Sequence, residues 1–188
     1  MAVSMFLADK LNAAFDLLDA DGDGYLTEED HALMGRRVAE RFGCAADSPE
    51  ARRIVEAYLS IWSDVHLGND IDGDGKVTRD EFISGTMALR SDPRTADAAL
   101  GGLAEHFMAI ADQNGDGVID EREYTAFLDG TAPGLPTGRA AEAFQHLDAD
   151  GDGQLTHVEL KRALIEYYTS EEPAAVGNWL WGRAVVPV

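Results

Sequence analysis

Four twelve-residue segments constrain this chain more than any other feature. They read DADGDGYLTEED (19–30), DIDGDGKVTRDE (70–81), DQNGDGVIDERE (112–123) and DADGDGQLTHVE (148–159). Positions 1, 3 and 5 carry Asp19, Asp21 and Asp23; Asp70, Asp72 and Asp74; Asp112, Asn114 and Asp116; and Asp148, Asp150 and Asp152. Short side chains at alternate positions of a tight turn converge on one point. Carboxylates about 4–5 Å apart repel by roughly 1 kcal/mol per pair in water and about 4 kcal/mol where partly shielded. An empty loop of this kind is unfavourable, and a hard dication taking six to eight oxygens removes the repulsion; Ca²⁺ fits that description.

The rest of each segment follows the same logic. Glycine at positions 4 and 6 accounts for eight of the nineteen glycines, and position 6 needs the sharp turn that a Cβ resists. Position 7 offers only its carbonyl, which explains why Tyr25, Lys76, Val118 and Gln154 have nothing in common. Position 8 is always apolar (Leu26, Val77, Ile119, Leu155), which predicts short strands pairing between loops. Position 12 is Glu81, Glu123 or Glu159 in three loops but Asp30 in the first.

Helical periodicity flanks every loop. Leu11, Phe15 and Leu18 precede the first, and Ile54, Tyr58, Ile61, Trp62 and Val65 the second. Phe107 and Ile110 precede the third, and Ala140, Phe144 and Leu147 the fourth. Matching apolar stripes follow each loop, from Met34–Val38 to Leu160–Leu164. The repeating unit is helix–loop–helix. Ser48-Pro49 marks a helix start, Thr137 is a candidate cap, and the stretch around Pro93 divides the chain. The expected organisation is a pair of units over 1–92, a second pair over 93–168, and a tail over 169–188 that packs on the body.

With these residues in hand the chain resembles the EF-hand calcium-binding proteins. The Asp-x-(Asp/Asn)-x-Asp-Gly-x5-Glu pattern is met fully three times and once with a terminal Asp. The resemblance implies an all-α fold of four helix–loop–helix units in two compact paired halves. It also implies Ca²⁺ ligands at positions 1, 3, 5, 7 and 12 of each loop, with Thr27, Thr78, Asp120 and Thr156 at position 9 near the ion. The stretched first interval, the break at Pro93 and the aromatic tail are similar to sarcoplasmic calcium-binding proteins and calerythrin.

Charge and composition narrow the function. A net charge of −20 disfavours nucleic acid and anionic membrane surfaces as partners. Cys44 is the single cysteine, so no internal disulfide forms. The N-terminus lacks a signal-peptide pattern and begins Met-Ala, no apolar run is long enough to span a bilayer, and the expected setting is cytoplasmic. A monomer is expected. No catalytic constellation is visible. Five methionines are few for an adaptable target-binding groove, so a buffer is favoured over a sensor with a target protein, and a coelenterazine-binding or photoprotein-like carrier is the remote alternative. Trp179 and Trp181 are read as a tail pinned onto the body, Glu171–Glu172 as a solvated helix start, and the five histidines as ordinary surface or core residues.

Asp30 leaves three options open: reach with one oxygen, reach through water, or inward movement of the following helix. Each makes the first loop the weakest or least Ca²⁺-selective, with Mg²⁺ a possible occupant.

Overall fold

Helix α1 (Met5–Leu18) begins where the Ser4 hydroxyl accepts the Leu7 N–H, and it buries Leu7, Leu11, Ala14, Phe15 and Leu18 along one face. The architecture, a computed structural model describing residues 4–182, continues with strand β1 (Tyr25–Leu26), α2 (Glu28–Arg41) and α3 (Pro49–Ile61). Next come a π-helical turn (Trp62–His66), a 3₁₀ turn (Leu67–Asn69), β2 (Val77–Thr78), α4 (Arg79–Ser91) and α5 (Pro93–Ala111). The second half adds β3 (Ile119–Asp120), α6 (Glu121–Thr131), α7 (Arg139–Leu147), β4 (Gln154–Leu155), α8 (His157–Thr169) and a 3₁₀ turn (Val176–Trp179). Among the described residues no helix is long and apolar enough to cross a membrane.

All four helices that leave a loop start the same way. Position 9 is the N-cap and position 12 is N3, giving reciprocal capping boxes Thr27/Asp30, Thr78/Glu81, Asp120/Glu123 and Thr156/Glu159. The predicted pairings form: β1 runs antiparallel to β2 with Leu26 opposite Val77, and β3 to β4 with Ile119 opposite Leu155. All four of these position 8 side chains are buried.

The four units share one continuous core. Helix α2 packs against α3 and also against α6 of the second pair, and glycine makes both contacts possible. A Cβ on Gly35 would lie 2.8 Å from Val55 Cα, and one on Gly130 would lie 2.6 Å from Val38 Cα. Beside that crossing the Tyr58 and Thr131 hydroxyls are 2.7 Å apart. Thr131 donates to the Phe127 carbonyl, so Tyr58 is the donor between the two.

Local expectations were altered at four places. The stretch around Pro93 is helical except at Asp92, whose carboxylate caps α5 while Pro93 occupies its first turn; the Gly101-Gly102 pair is carried inside the helix. Helix α7 is preceded by Gly138 at φ +82°, not capped by Thr137, because the left-handed residue turns the chain directly into the helix. The apolar run before the second loop is α-helical only to Ile61, then widens into the π turn. Glu171 is not a freely solvated helix start: it accepts the Ser4 N–H at 3.2 Å and pairs with Arg90 at 2.6 Å, tying the start of α1 and the end of α4 to the segment after α8.

The tail segment up to Gly182 packs on the body. Trp181 is buried among Phe107, Phe127 and Tyr167, Trp179 stacks on His146 at 3.8 Å, and Tyr124 donates to the Leu180 carbonyl at 2.8 Å. The remainder of the expected 169–188 tail, from 183 on, lies outside the described residues.

Candidate metal centres

Each loop ties its acidic side chains down with its own backbone. In the first, Asp19 Oδ1 accepts the Gly22 and Asp23 N–H groups at 2.9 and 3.0 Å, and Oδ2 accepts the Gly24 N–H at 2.9 Å. Asp21 accepts from Asp23, and Asp23 from Tyr25. Asp70, Asp72 and Asp74 repeat this set, as do Asp148, Asp150 and Asp152. The geometry needs φ +90° at Gly24, a region where an L side chain is strained. In the third loop Asn114 spends an amide N–H on Asp116 at 2.9 Å, while Asp112 still accepts from Gly115 and Gly117.

Position 12 closes each loop from the far side. Glu81 Oε1 accepts the Ile71 N–H, and Oε2 accepts both the N–H and hydroxyl of Thr78. Glu123 bridges Gln113 and Asn114 to Asp120, and Glu159 bridges Ala149 to Thr156. Asp30 makes the same bridge with a shorter side chain. Its Oδ1 accepts from Ala20 and Asp21 at 2.9 and 3.3 Å, and its Oδ2 from the Thr27 N–H and hydroxyl at 2.8 and 2.7 Å. The missing C–C bond is worth about 1.5 Å, yet both carboxylate oxygens keep their bridging bonds. Asp30 is also the most buried of the four, 1% exposed against 8% for Glu123 and half-buried Glu81 and Glu159. Asp30 therefore closes its loop directly, with Oδ1 on the loop amides and Oδ2 on the α2 cap.

The donor set suits a hard dication. Carboxylate oxygens of Asp19, Asp21 and Asp30 lie within 4.8 Å of one another, as do those of Asp70, Asp72 and Glu81, and those of Asp148, Asp150 and Glu159. Among the described residues the third loop brings no such acidic trio together, since Asn114 supplies an amide oxygen there. Oxygen donors without nitrogen or sulfur match Ca²⁺ or Mg²⁺ and not a softer metal. The Thr78 hydroxyl and loop N–H bonds hold the Glu81 carboxyl below its usual range, keeping it anionic and ready to bind a cation. Lys76 Nζ lies 4.5 Å over the Tyr25 ring, so position 7 side chains of the first loop pair touch.

Three buried polar residues escaped the sequence reading. His31, next to Asp30, sits with Nδ1 2.8 Å from the Thr27 carbonyl and Nε2 2.7 Å from His66 Nδ1. A carbonyl only accepts, so His31 carries its proton on Nδ1 and receives the His66 Nδ1–H on Nε2. Burial pushes both imidazoles below the usual histidine range, and both are neutral at pH 7. The spacing of 35 residues gave no sign of this pairing. Lys10 is also fully buried. Its Nζ donates to the Glu166 and Ser170 carbonyls at the end of α8, and to Asn178 Oδ1 of the tail, at 3.3, 2.9 and 3.0 Å. Desolvation pushes its pKa down to about 8, with Glu166 opposing. A lysine within the apolar run of α1 was the only available signal.

Family comparisons agree with this geometry. An EF-hand domain pair matches residues 8–87, an EF hand residues 104–128 and an EF-hand domain residues 139–168. Calerythrin of Saccharopolyspora erythraea is 31% identical over 163 residues, covering 86% of this chain and 91% of its own. A Streptomyces coelicolor calcium-binding protein, whose structure was solved for prokaryotic calcium-mediated regulation, superposes with a TM-score of 0.71 at 28% identity, covering 88% and 99% of the two chains. The Ca²⁺-loaded apo form of the coelenterazine-binding protein from Renilla muelleri gives 0.79 at 22% identity, over 94% and 95%.

Proposed function

The chain belongs to the EF-hand calcium-binding proteins, and on that premise we propose that it is a cytoplasmic Ca²⁺ buffer of the calerythrin and sarcoplasmic type. It takes up to four ions, on the residues at positions 1, 3, 5, 7 and 12 of each loop, and has no enzymatic activity. The first loop is the weakest or least Ca²⁺-selective and accepts Mg²⁺.

One observation carries the preference for buffering. A sensor couples the loop-closed state to an open, methionine-rich groove. In this chain all four position 12 carboxylates are closed across their loops while the apolar faces of the helices behind them stay buried. Met34, Phe82, Tyr124, Phe127, Leu160 and Leu164 all lie in the core, so closure needs no groove. Calorimetric titration with and without millimolar Mg²⁺, run beside binding of a hydrophobic dye, tests the reading. The expected result is three tight sites, one weaker site sensitive to Mg²⁺, and flat or falling dye binding. One ion or none would overturn it.

Likeness to the Streptomyces calcium-binding protein favours sensing as the second reading. It requires dye binding to rise as Ca²⁺ saturates and the tail to leave the body. The chromophore-carrier reading has less support: the central void between His31, Tyr58, Leu103 and Trp181 is about 10 Å³, room for little more than a water.

A further inference from the structure

Arg37 lies about two turns beyond Asp30 on the same face of α2, where a long side chain runs back toward the helix start. Its guanidinium donates to the Ala20 carbonyl at 3.1 Å. Ala20 is position 2 of the first loop, and its N–H is held by Asp30 Oδ1 at 2.9 Å. Helix α2 therefore grips one loop residue at both of its backbone polar groups. Among the described residues no carboxylate pairs with Arg37, so this carbonyl anchors the half-buried guanidinium.

The other loops lack the second grip. Their position 2 residues, Ile71, Gln113 and Ala149, give an N–H to Glu81, Glu123 and Glu159. Eighteen residues after the loop start, where the first unit has Arg37, they carry Ala88, Gly130 and Glu166. Alanine and glycine have no side-chain donor, and a glutamate carboxylate only accepts. The first loop thus combines the shortest closing arm with an extra tie to its exit helix.

We infer that Arg37 is a positioning residue for the first loop, one that tilts its ion preference away from Ca²⁺ and toward Mg²⁺. The inference rests on the reading that this loop holds a dication. Ca²⁺ takes its oxygens at about 2.3–2.6 Å and Mg²⁺ at about 2.0–2.1 Å, and the flexibility of a site helps decide between them. A wider shell needs the loop to swell away from the exit helix, and a second tie across that gap opposes the swelling. Asp30, one bond shorter than glutamate, has the least slack to follow. The charge of Arg37 acts differently from its bond. It weakens both ions alike, because they carry the same charge. Stiffness therefore changes the ratio of the two affinities, whereas charge shifts them together.

The test compares full-length wild type, Arg37→Met and Arg36→Met by site-resolved NMR titration with Ca²⁺ and with Mg²⁺. Arg36 is exposed on the same helix and pairs with Glu29, so its loss removes the same charge without freeing Ala20. Arg37→Met should raise the Ca²⁺/Mg²⁺ affinity ratio at the first loop about three- to tenfold, the range one hydrogen bond contributes. Ratios at the other three loops should not change. With Mg²⁺ saturating, Arg37→Met should also speed amide exchange at Ala20 and Asp21, and Arg36→Met should do neither. A ratio that stays at the wild-type value in Arg37→Met, or moves equally in Arg36→Met, would overturn the role of Arg37 while leaving the first loop a metal site. A wild-type first loop that takes neither ion would overturn the underlying reading and this inference with it.

Discussion

At the scale of single residues, Asp30 makes with a shorter side chain the closure that the other loops make with glutamate. It keeps every bridging bond that the glutamates make, so the first loop is closed instead of open. Asp30→Glu pushes α2 outward and gives the ion a longer bidentate arm. Ca²⁺ affinity at that loop should rise and its preference over Mg²⁺ should grow, as read by site-resolved NMR titration; unchanged selectivity would count against the assignment. Lys10 offers a second test. Its folded pKa of about 8 lies below the ordinary 10.5, so between those values the unfolded chain binds more protons and stability contributed through Lys10 rises with pH. The buried tyrosines 58, 124, 167 and 168 have raised pKa values and withdraw stability above pH 10, which confines the readable window to pH 8–10. Lys10→Met leaves three buried acceptors without a donor and should cost about 1–3 kcal/mol. In denaturant titrations the stability gap between wild type and the variant should widen from pH 8 to 10.

At the scale of elements, the exit helices are set by their first turns and by the glycines that let them cross. The Thr-x-x-Glu and Asp-x-x-Glu boxes are legible in the sequence because cap and ligand are the same residues: position 12 binds the loop and satisfies the helix N-terminus together. The α2–α6 crossing was not legible. Gly130 lies in the last turn of α6 with an ordinary backbone conformation, and only the approach of Val38 explains it. Gly130→Ala improves helix propensity by about 1 kcal/mol but drives a methyl into the Val38 backbone, an overpacking cost of about 1–3 kcal/mol. Thermal denaturation should show a net loss of stability. Because α2 and α6 leave the first and third loops, the same variant should also weaken Ca²⁺ at both, whereas an effect confined to one loop would mean the crossing does not couple them.

For the whole molecule, electrostatics and packing oppose each other. A charge of −20 spread over one core favours expansion, and four dications would carry it to −12. Ions binding only the native state add about 4 kcal/mol per site at a thousandfold excess over Kd. Chelation should therefore lower the melting temperature steeply, and a midpoint indifferent to chelator would refute four functional sites. The tail works in the same direction. Trp181, Asn178 and Glu171 join the C-terminal segment to α5, α1 and α4, so the fastening depends on residues far apart in the chain.

The sequence by itself determined the repeating unit, the loops and the helix starts, because each is a local device whose partners lie within twelve residues. Carboxylate spacing, position 6 glycines and capping boxes are readable for that reason. Only the tertiary structure decided which histidines meet, what Lys10 caps and why Gly130 must be glycine. Those answers depend on pairs separated by 35 to 168 residues, and no short-range periodicity encodes a contact across such a span. The fold is written in local chemistry, and its buried polar network in the way the helices come together.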